Sequence, residues 1–264
     1  DTWDMPSEPG CIAPATSGGL VIAMRSGIFR AREWHGDLEL ITTLPYDTAG
    51  VRANDGKCDA LGRFWVSTVD ELKAGGAAAL FSIDCRGGRA AQVQQHADNA
   101  LTGNGLAWSP DGRTTYWADT SNHIIHAWDF DVQANTLSAH RVFQQFPPKP
   151  DGWQFDANAS FAERGYGGRP DGAAVDVQGN YYVSMFEGQH VCKFAPDGRL
   201  LDEYPVPAAC PTMPCFGGED GKTLYVTTAS YKRSAAELAA LPLSGSMFSM
   251  RVDNPGLPVN FFAD

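Results

Sequence analysis

A strand–turn–strand pattern recurs five times along the 264-residue chain and constrains the fold more than any other feature. In each copy a turn rich in Asp, Pro and Gly precedes a run of aromatic and β-branched residues, a composition typical of β-strands. The turn glycines lie about 44, 50, 67 and 42 residues apart, at Gly18, Gly62, Gly112, Gly179 and Gly221. A repeat of this length is typical of solenoids, propellers and arrays.

A second run of alternating apolar and polar residues follows each copy, as in 79–84 and 124–129. Four short strands in a unit of about 40–45 residues are typical of a β-propeller blade. Helical patterns are scarce, with 235–240 the one clear candidate, whereas a TIM barrel or Rossmann sheet needs helices between its strands. The sequence therefore predicts an all-β propeller, a single domain over residues 1–264 with a loop insertion at about 144–168.

The two ends of the chain suggest how many blades to expect. Residues 1–6 have the pattern of the last strand of an earlier blade, and 247–262 have the pattern of a complete strand pair. A propeller closes on itself or leaves unpaired strand edges. We therefore predict a six-bladed β-propeller whose first blade is incomplete in this chain, with a repeat of about 40 residues before Asp1.

Charge and composition exclude several classes of partner. The net charge of −11 and the absence of a Lys/Arg stripe argue against nucleic acid, because phosphate binding needs clustered cations. No apolar run is long enough to cross a bilayer, which predicts no membrane partner. Six cysteines are too few for a disulfide scaffold and predict reduced thiols and a cytoplasmic location. We also predict a monomer or weak dimer.

Three repeats carry a polar oxygen at the same position. Asn54, Asn104 and Asp171 each precede a glycine by one or two residues and a turn glycine by eight. One such dipeptide is an ordinary turn signal, but a shared offset in three repeats predicts side chains that converge on the propeller axis. Amide and carboxylate oxygens suit a hard divalent cation, Ca²⁺ first, with Zn²⁺, Mg²⁺, Mn²⁺ or Fe²⁺ as alternatives.

Four motifs in order resemble the regucalcin, gluconolactonase and luciferin-regenerating-enzyme family. They are Arg52–Thr68, Asn104–Gly112 with Tyr116–Thr120, Arg169–Asp176, and Pro214–Gly218 with Leu224–Thr228. The resemblance covers nearly the whole chain. It implies a six-bladed propeller with one divalent cation in the central channel, held by a Glu, an Asn and an Asp.

The resemblance also implies roles for particular residues. Asn104 and Asp171 match the family's metal ligands, and Asn54 matches a second Asn that faces both metal and substrate. Arg52 matches a substrate contact, and Glu71 follows a strand where the family often contacts substrate. The family's ligand Glu belongs to the repeat that is absent here, and Glu8 belongs to the following repeat, so the role is not transferred to Glu8.

These roles predict a carboxylic-ester hydrolase that converts a sugar (aldono)lactone, a small-molecule partner, to the aldonic acid. The cation would polarise the lactone carbonyl and Asp171 would activate water as a general base. Asn104 would hold the cation, Asn54 and Arg52 would orient sugar hydroxyls, and the 144–168 insertion would form a lid. The alternatives are a non-catalytic, regucalcin-like cation-binding propeller and a related esterase on the same fold.

Overall fold

The computed structural model describes residues 2–156, 158–159 and 161–264, without the side chains of residues 161 and 162. Within these ranges the chain forms five antiparallel sheets, which follow one another along the sequence as blades 1 to 5. Blades 1 and 2 contain β1 (Pro9–Pro14), β2 (Leu20–Met24), β3 (Gly27–Ala31), β4 (Leu38–Thr42), β5 (Val51–Cys58), β6 (Phe64–Asp70), β7 (Ala78–Asp84) and β8 (Gln92–Ala100).

The remaining sheets complete the propeller. Blades 3 to 5 contain β9 (Gly103–Trp108), β10 (Thr114–Asp119), β11 (Ile124–Asp131), β12 (Thr136–Gln145), β13 (Arg169–Val175), β14 (Tyr181–Phe186), β15 (His190–Phe194), β16 (Leu200–Pro205), β17 (Pro211–Gly217), β18 (Thr223–Thr228) and β19 (Met247–Arg251). Blade 5 has three strands and the others have four. The predicted helix is present as α1 (Ala235–Ala240), and short 3₁₀ turns occur at Thr120–Asn122 and Phe161–Arg164.

The prediction of six blades with an incomplete first blade is wrong. The described residues form five sheets, and blade 1 has all four of its strands. Residues 2–8 form no strand; instead the Trp3 ring packs edge-on against Trp34 of blade 1, with ring centroids 5.4 Å apart. An alternating aromatic segment was therefore mistaken for a strand, although its apolar side chains pack on the outside of an existing sheet.

The first strand of each sheet lines the central channel. Consecutive first strands pack side by side in the order β1, β5, β9, β13 and β17. The first-strand pairing of every blade is interrupted by a register shift, for example between Ala53 and Gly56 and between Pro170 and Ala173. Such bulges redirect side chains locally, and the first strand of each of the five blades contains one.

Aromatic and aliphatic side chains fill the spaces between neighbouring blades. Trp65, Trp117 and Phe130 form one such layer between blades 2 and 3, and Tyr116 and Tyr181 belong to the next. Each buried aromatic removes a large apolar area from water, on the order of 150–250 Å². This packing fixes the relative orientation of the blades, and therefore the positions of the channel residues.

The C-terminal segment 256–264 crosses the turn side of the propeller. The backbone nitrogen of Leu257 donates to the Val175 carbonyl of blade 4, and Phe262 forms a parallel bridge with Ala15 of blade 1. The Asp264 carboxylate accepts a hydrogen bond from Arg30 Nε at 2.7 Å.

Among the described residues, no helix is long and apolar enough to span a membrane, and all six cysteines are free thiols.

Candidate functional site

Two of the three predicted ligands are in direct contact across blades 2 and 3. Asn54 Nδ2 donates to Asn104 Oδ1 at 2.9 Å and to the Gly103 carbonyl at 2.9 Å. Thr120 fixes the orientation of the Asn104 amide, because Asn104 Nδ2 donates to Thr120 Oγ1 at 2.8 Å. The Asn104 oxygen therefore faces Asn54 and the channel.

Asp171 lies at the bulge of β13, in the equivalent part of blade 4. Desolvation and the nearby Asp55 carboxylate together raise the pKa of its carboxyl to about 8, because the Arg169 cation only partly opposes them. A Cβ placed on Gly105, next to Asn104, would lie 3.0 Å from the Asp171 carbonyl oxygen. The backbone of the third predicted ligand therefore adjoins that of Asn104.

Two charged residues beside the three, the buried Asp55 and the partly buried Lys57, were not predicted as part of the site. The Asp55 carboxylate accepts hydrogen bonds from the Leu106 nitrogen at 2.9 Å and the Gly56 nitrogen at 2.8 Å. Lys57 Nζ donates to the Ala173 carbonyl of blade 4. Burial raises the pKa of Asp55 and lowers the pKa of Lys57, and each charge partly opposes the shift of the other.

The bulge explains why Asp55 was missed. In a regular strand, neighbouring residues face opposite sides, so alternation places only Asn54 on the channel side. In the structure both Asn54 and Asp55 lie between the paired residues Ala53 and Gly56. On the turn side of this layer, Asp55 and Lys57 also line a mainly apolar cavity of about 760 Å³. The sequence feature that could have indicated the role of Asp55 and Lys57 is the polar run Asn-Asp-Gly-Lys.

The predicted substrate contacts lie at the mouth of the channel. Arg52 Nη1 donates to Asn54 Oδ1 at 3.1 Å, and Arg52 Nε lies 3.5 Å from the Glu71 carboxylate. Glu71 is also held by Arg25 at 2.9 Å, and Glu8 pairs with the same Arg25. Arg52 and Glu71 are thus brought together beside Asn54, and Glu8 joins the same ion-pair network through Arg25.

The donor set fits a hard divalent cation. Asn104 contributes an oriented amide oxygen, and Asp171 contributes a carboxyl whose pKa is raised by burial and by a second carboxylate. A bound cation would offset that unfavourable charge, and oxygen donors of this kind are the ligands that Ca²⁺ and Mg²⁺ prefer. Asn54 Oδ1 faces Arg52, so the Asn54 amide orients Asn104 in this arrangement.

We expect Gly105→Ala to destabilise the site more than Gly112→Ala. Both glycines have a positive φ, +59° and +68°, which costs an alanine on the order of 1 kcal/mol. A Cβ at Gly105 would also lie 2.5 Å from the Tyr181 hydroxyl, whereas Gly112 has open space. Urea denaturation should show a loss of about 1 kcal/mol for Gly112→Ala and at least about 2 kcal/mol for Gly105→Ala. Equal losses would contradict the close packing at Gly105.

Comparisons with known proteins agree with this architecture. The chain is 39% identical to a 6-deoxy-6-sulfogluconolactonase of Pseudomonas putida over 99% of its own length and 83% of that protein. It is 30% identical to regucalcin of Danio rerio, over 91% of the chain and 75% of the relative.

Solved structures show the same fold. A calcium-binding regucalcin from Agrobacterium tumefaciens superposes with a TM-score of 0.83 at 24% identity, covering 98% of this chain and 80% of that one. A luciferin-regenerating enzyme superposes with a TM-score of 0.77 at 25% identity, covering 99% and 82%. The model of the SMP-30/gluconolactonase/LRE-like region matches residues 1–230. The predicted resemblance is therefore confirmed: the chain belongs to the SMP-30/gluconolactonase/LRE-like family.

Proposed function

We propose that this protein hydrolyses a sugar lactone to the corresponding aldonic acid, with a divalent cation held in the propeller channel. The observation that carries the proposal is that Asn104, whose amide is oriented by Thr120, adjoins the backbone of Asp171, whose carboxyl has a raised pKa. Family membership supports the reaction class, since relatives include proteins named as lactonases. The substrate would be a small, polyhydroxylated cyclic ester.

Each residue has a defined part in the proposed reaction. Asn104 and Asp171 would hold the cation, which polarises a carbonyl oxygen and acidifies water when bound. The Asp171 carboxylate takes a proton from the attacking water. The water oxygen bonds to the acyl carbon, the ring C–O bond breaks, and the proton taken up by Asp171 passes to the ring oxygen, which becomes a hydroxyl. Arg52 and Glu71 at the mouth, with Asn54 below them, would bind the sugar hydroxyls.

The insertion between β12 and β13 is proposed to bound the mouth of the channel. Within its described part, Lys149 Nζ lies 2.8 Å from the Glu187 carboxylate, and the Tyr166 hydroxyl lies 2.8 Å from His123 Nε2. Both partners belong to the blade framework, Glu187 after β14 and His123 before β11. The segment is therefore attached beside Arg169, where it could limit access of water to the substrate.

The competing function is cation binding without catalysis. It is favoured by the relatives named regucalcin, one of which is described as a calcium-binding protein. The same Asn104 and Asp171 oxygens would serve that role. Calcium is the ion that we propose first for either function, because carboxylate and amide oxygens are its usual ligands.

A hydrolysis assay and a calorimetric titration together separate the two functions. We expect aldonolactone hydrolysis by the metal-free protein to rise by about 10²-fold or more on addition of Ca²⁺, Mg²⁺, Mn²⁺ or Zn²⁺. Calorimetric titration with each ion should show one site. Ion binding with no lactone hydrolysis would support the non-catalytic alternative. Hydrolysis that is unchanged by a chelator, with no ion bound, would contradict a metal-dependent lactonase.

A further inference from the structure

The two sides of the channel mouth differ in charge balance. On the side of blades 1 and 2, Arg25 and Arg52 face Glu8 and Glu71, and the carboxylates accept hydrogen bonds or ion pairs from the guanidinium groups. Two cations therefore meet two anions, and this side has no excess of positive charge for a further ligand.

Two further cations lie beside the predicted ligands, Lys73 in the loop after β6 of blade 2 and Arg169 at the start of β13 in blade 4. Arg169 is two residues before Asp171, which lies in the bulge of β13. Lys73 donates from Nζ to the Thr102 hydroxyl, and Thr102 is two residues before Asn104. Each cation is thus held close to one of the two predicted ligands.

The carboxylates near these cations also accept from other groups. Glu187 accepts hydrogen bonds from Lys149 at 2.8 Å and Arg233 at 2.9 Å, and its other oxygen forms a longer ion pair with Arg169, at 3.6 Å. Asp119 accepts from the backbone nitrogens of Leu101 and Thr102. Within the described ranges, no carboxylate forms a hydrogen bond with Lys73 or Arg169.

The two cations are accessible, and the one ion pair that Arg169 forms with a carboxylate is long. The Lys73 side chain is exposed to solvent and the Arg169 side chain is partly exposed. The Arg169 guanidinium lies over the Phe186 ring, 5.0 Å from its centroid, which holds it in place. Partial desolvation of the ammonium group, with the Arg52 and Arg169 charges, lowers the pKa of Lys73 to about 8, and the Asp119 and Asp70 carboxylates oppose this shift only in part. An anion bound between them would relieve this repulsion.

We propose that Lys73 and Arg169 bind an oxyanion carried by the substrate itself, so that the preferred lactone bears a sulfonate, phosphate or carboxylate remote from its reacting carbonyl. The inference rests on the proposed lactonase function. A guanidinium binds two oxygens of such a group at once, and an ammonium adds a point charge. The lactone ring would then lie beside Asn104 and Asp171, while Arg52 and Glu71 bind its hydroxyls.

The test compares four lactones that differ only at the end of the sugar chain. We would measure kcat/KM for glucono-lactone and for its 6-sulfonate, 6-phosphate and 6-carboxylate forms, with the metal-loaded protein. At least one anionic form should be preferred over the neutral lactone by about 10-fold or more. The form that is preferred identifies the oxyanion.

Substitutions then assign the preference to these two side chains. Arg169→Gln and Lys73→Gln should each lower kcat/KM for the anionic lactone by about 10–100-fold, mainly through KM, and at least 10-fold more than for the neutral lactone. The matched control Arg199→Gln removes the same charge from an exposed turn of blade 4. It should leave the ratio of kcat/KM for the anionic lactone to kcat/KM for the neutral lactone unchanged. Added NaCl should weaken the preference, because salt screens exposed charges.

The outcomes separate this inference from the proposed function. The oxyanion site would be overturned if kcat/KM for the neutral lactone equals that for every anionic form. It would also be overturned if the variants lower kcat/KM equally for both substrates. Either result would leave the lactonase function intact. If no lactone is hydrolysed, the proposed function fails. In that case, calorimetric binding of the 6-sulfonate or 6-phosphate aldonic acid, lost in Arg169→Gln, would still support the oxyanion site, and absence of binding would overturn it.

Discussion

Replacing Asp171 with Asn is expected to lower kcat for lactone hydrolysis by about 10²–10⁴-fold, the contribution of a general base. Asparagine preserves the shape of the side chain at the β13 bulge but accepts no proton and carries no charge for a cation. Steady-state kinetics with saturating divalent cation would measure the loss. Asp197→Asn, in an exposed turn of the same blade, is the control and should retain normal turnover.

The same substitution should change how stability depends on pH. In the metal-free protein the pKa of Asp171 is raised to about 8 from an unfolded value of about 3.8, so the folded state holds this proton more tightly than the unfolded state. Stability from this group is complete below about pH 4 and is lost as pH rises towards 8. Urea midpoints of the wild type should therefore fall over that range more steeply than those of Asp171→Asn. Near-normal turnover in Asp171→Asn would contradict the general-base role, and identical pH profiles would contradict the raised pKa of the carboxyl.

Removing Asp59 is expected to cost about 3–5 kcal/mol of folding free energy, the range observed when one partner of a buried ion pair is deleted. Asp59 and Arg63 are each 1% exposed, with 2.6 Å between Oδ2 and Nε. The same carboxylate accepts from Trp65 Nε1 at 2.9 Å, and Arg63 Nη2 donates to the Val132 carbonyl of blade 3 at 2.6 Å. Asp59→Ala would leave a buried guanidinium without its anion between two blades.

Asp111→Ala provides the matched control for Asp59→Ala. Asp111 lies in the corresponding turn of blade 3 and also bonds to its own turn, but it is exposed. Its removal should cost no more than about 1 kcal/mol. A second variant, Asp59→Ala with Arg63→Met, should recover part of the loss, because no buried charge then remains unpaired. A loss below about 1 kcal/mol for Asp59→Ala would show that the pair does not hold the two blades together.

The contact between Asn54 and Asn104 was accessible from the sequence because it depends on repetition. Both residues occupy the same offset from a turn glycine, and equivalent positions in consecutive blades are neighbours at the axis. The role of Asp55 was not accessible in this way, since a bulge breaks the alternation on which the argument relied. The positions of Lys73 and Arg169 relative to one another also depend on loops whose course the pattern does not specify.

The blade count shows the limit of pattern reasoning most clearly. The turn glycines indicated five repeats, and the five observed sheets agree with that count. The sixth blade came from assigning strand character to residues 1–6 and from the family resemblance. Alternation of apolar residues at Trp3 and Met5 cannot distinguish a strand from a segment that packs its side chains against blade 1.

The sequence by itself determined the repeat, the all-β class, the family and the layer of Asn54, Asn104 and Asp171, because these follow from local composition and fixed spacing along the chain. Only the tertiary structure decided which charges meet at the channel. Asp55 and Lys73 come from blade 2 and Arg169 from blade 4. The pKa values of Asp55 and Lys73, and the pairing of Arg169, depend on distance, burial and competing partners. Such interactions act through space across the axis, and spacing along the chain carries no information about them.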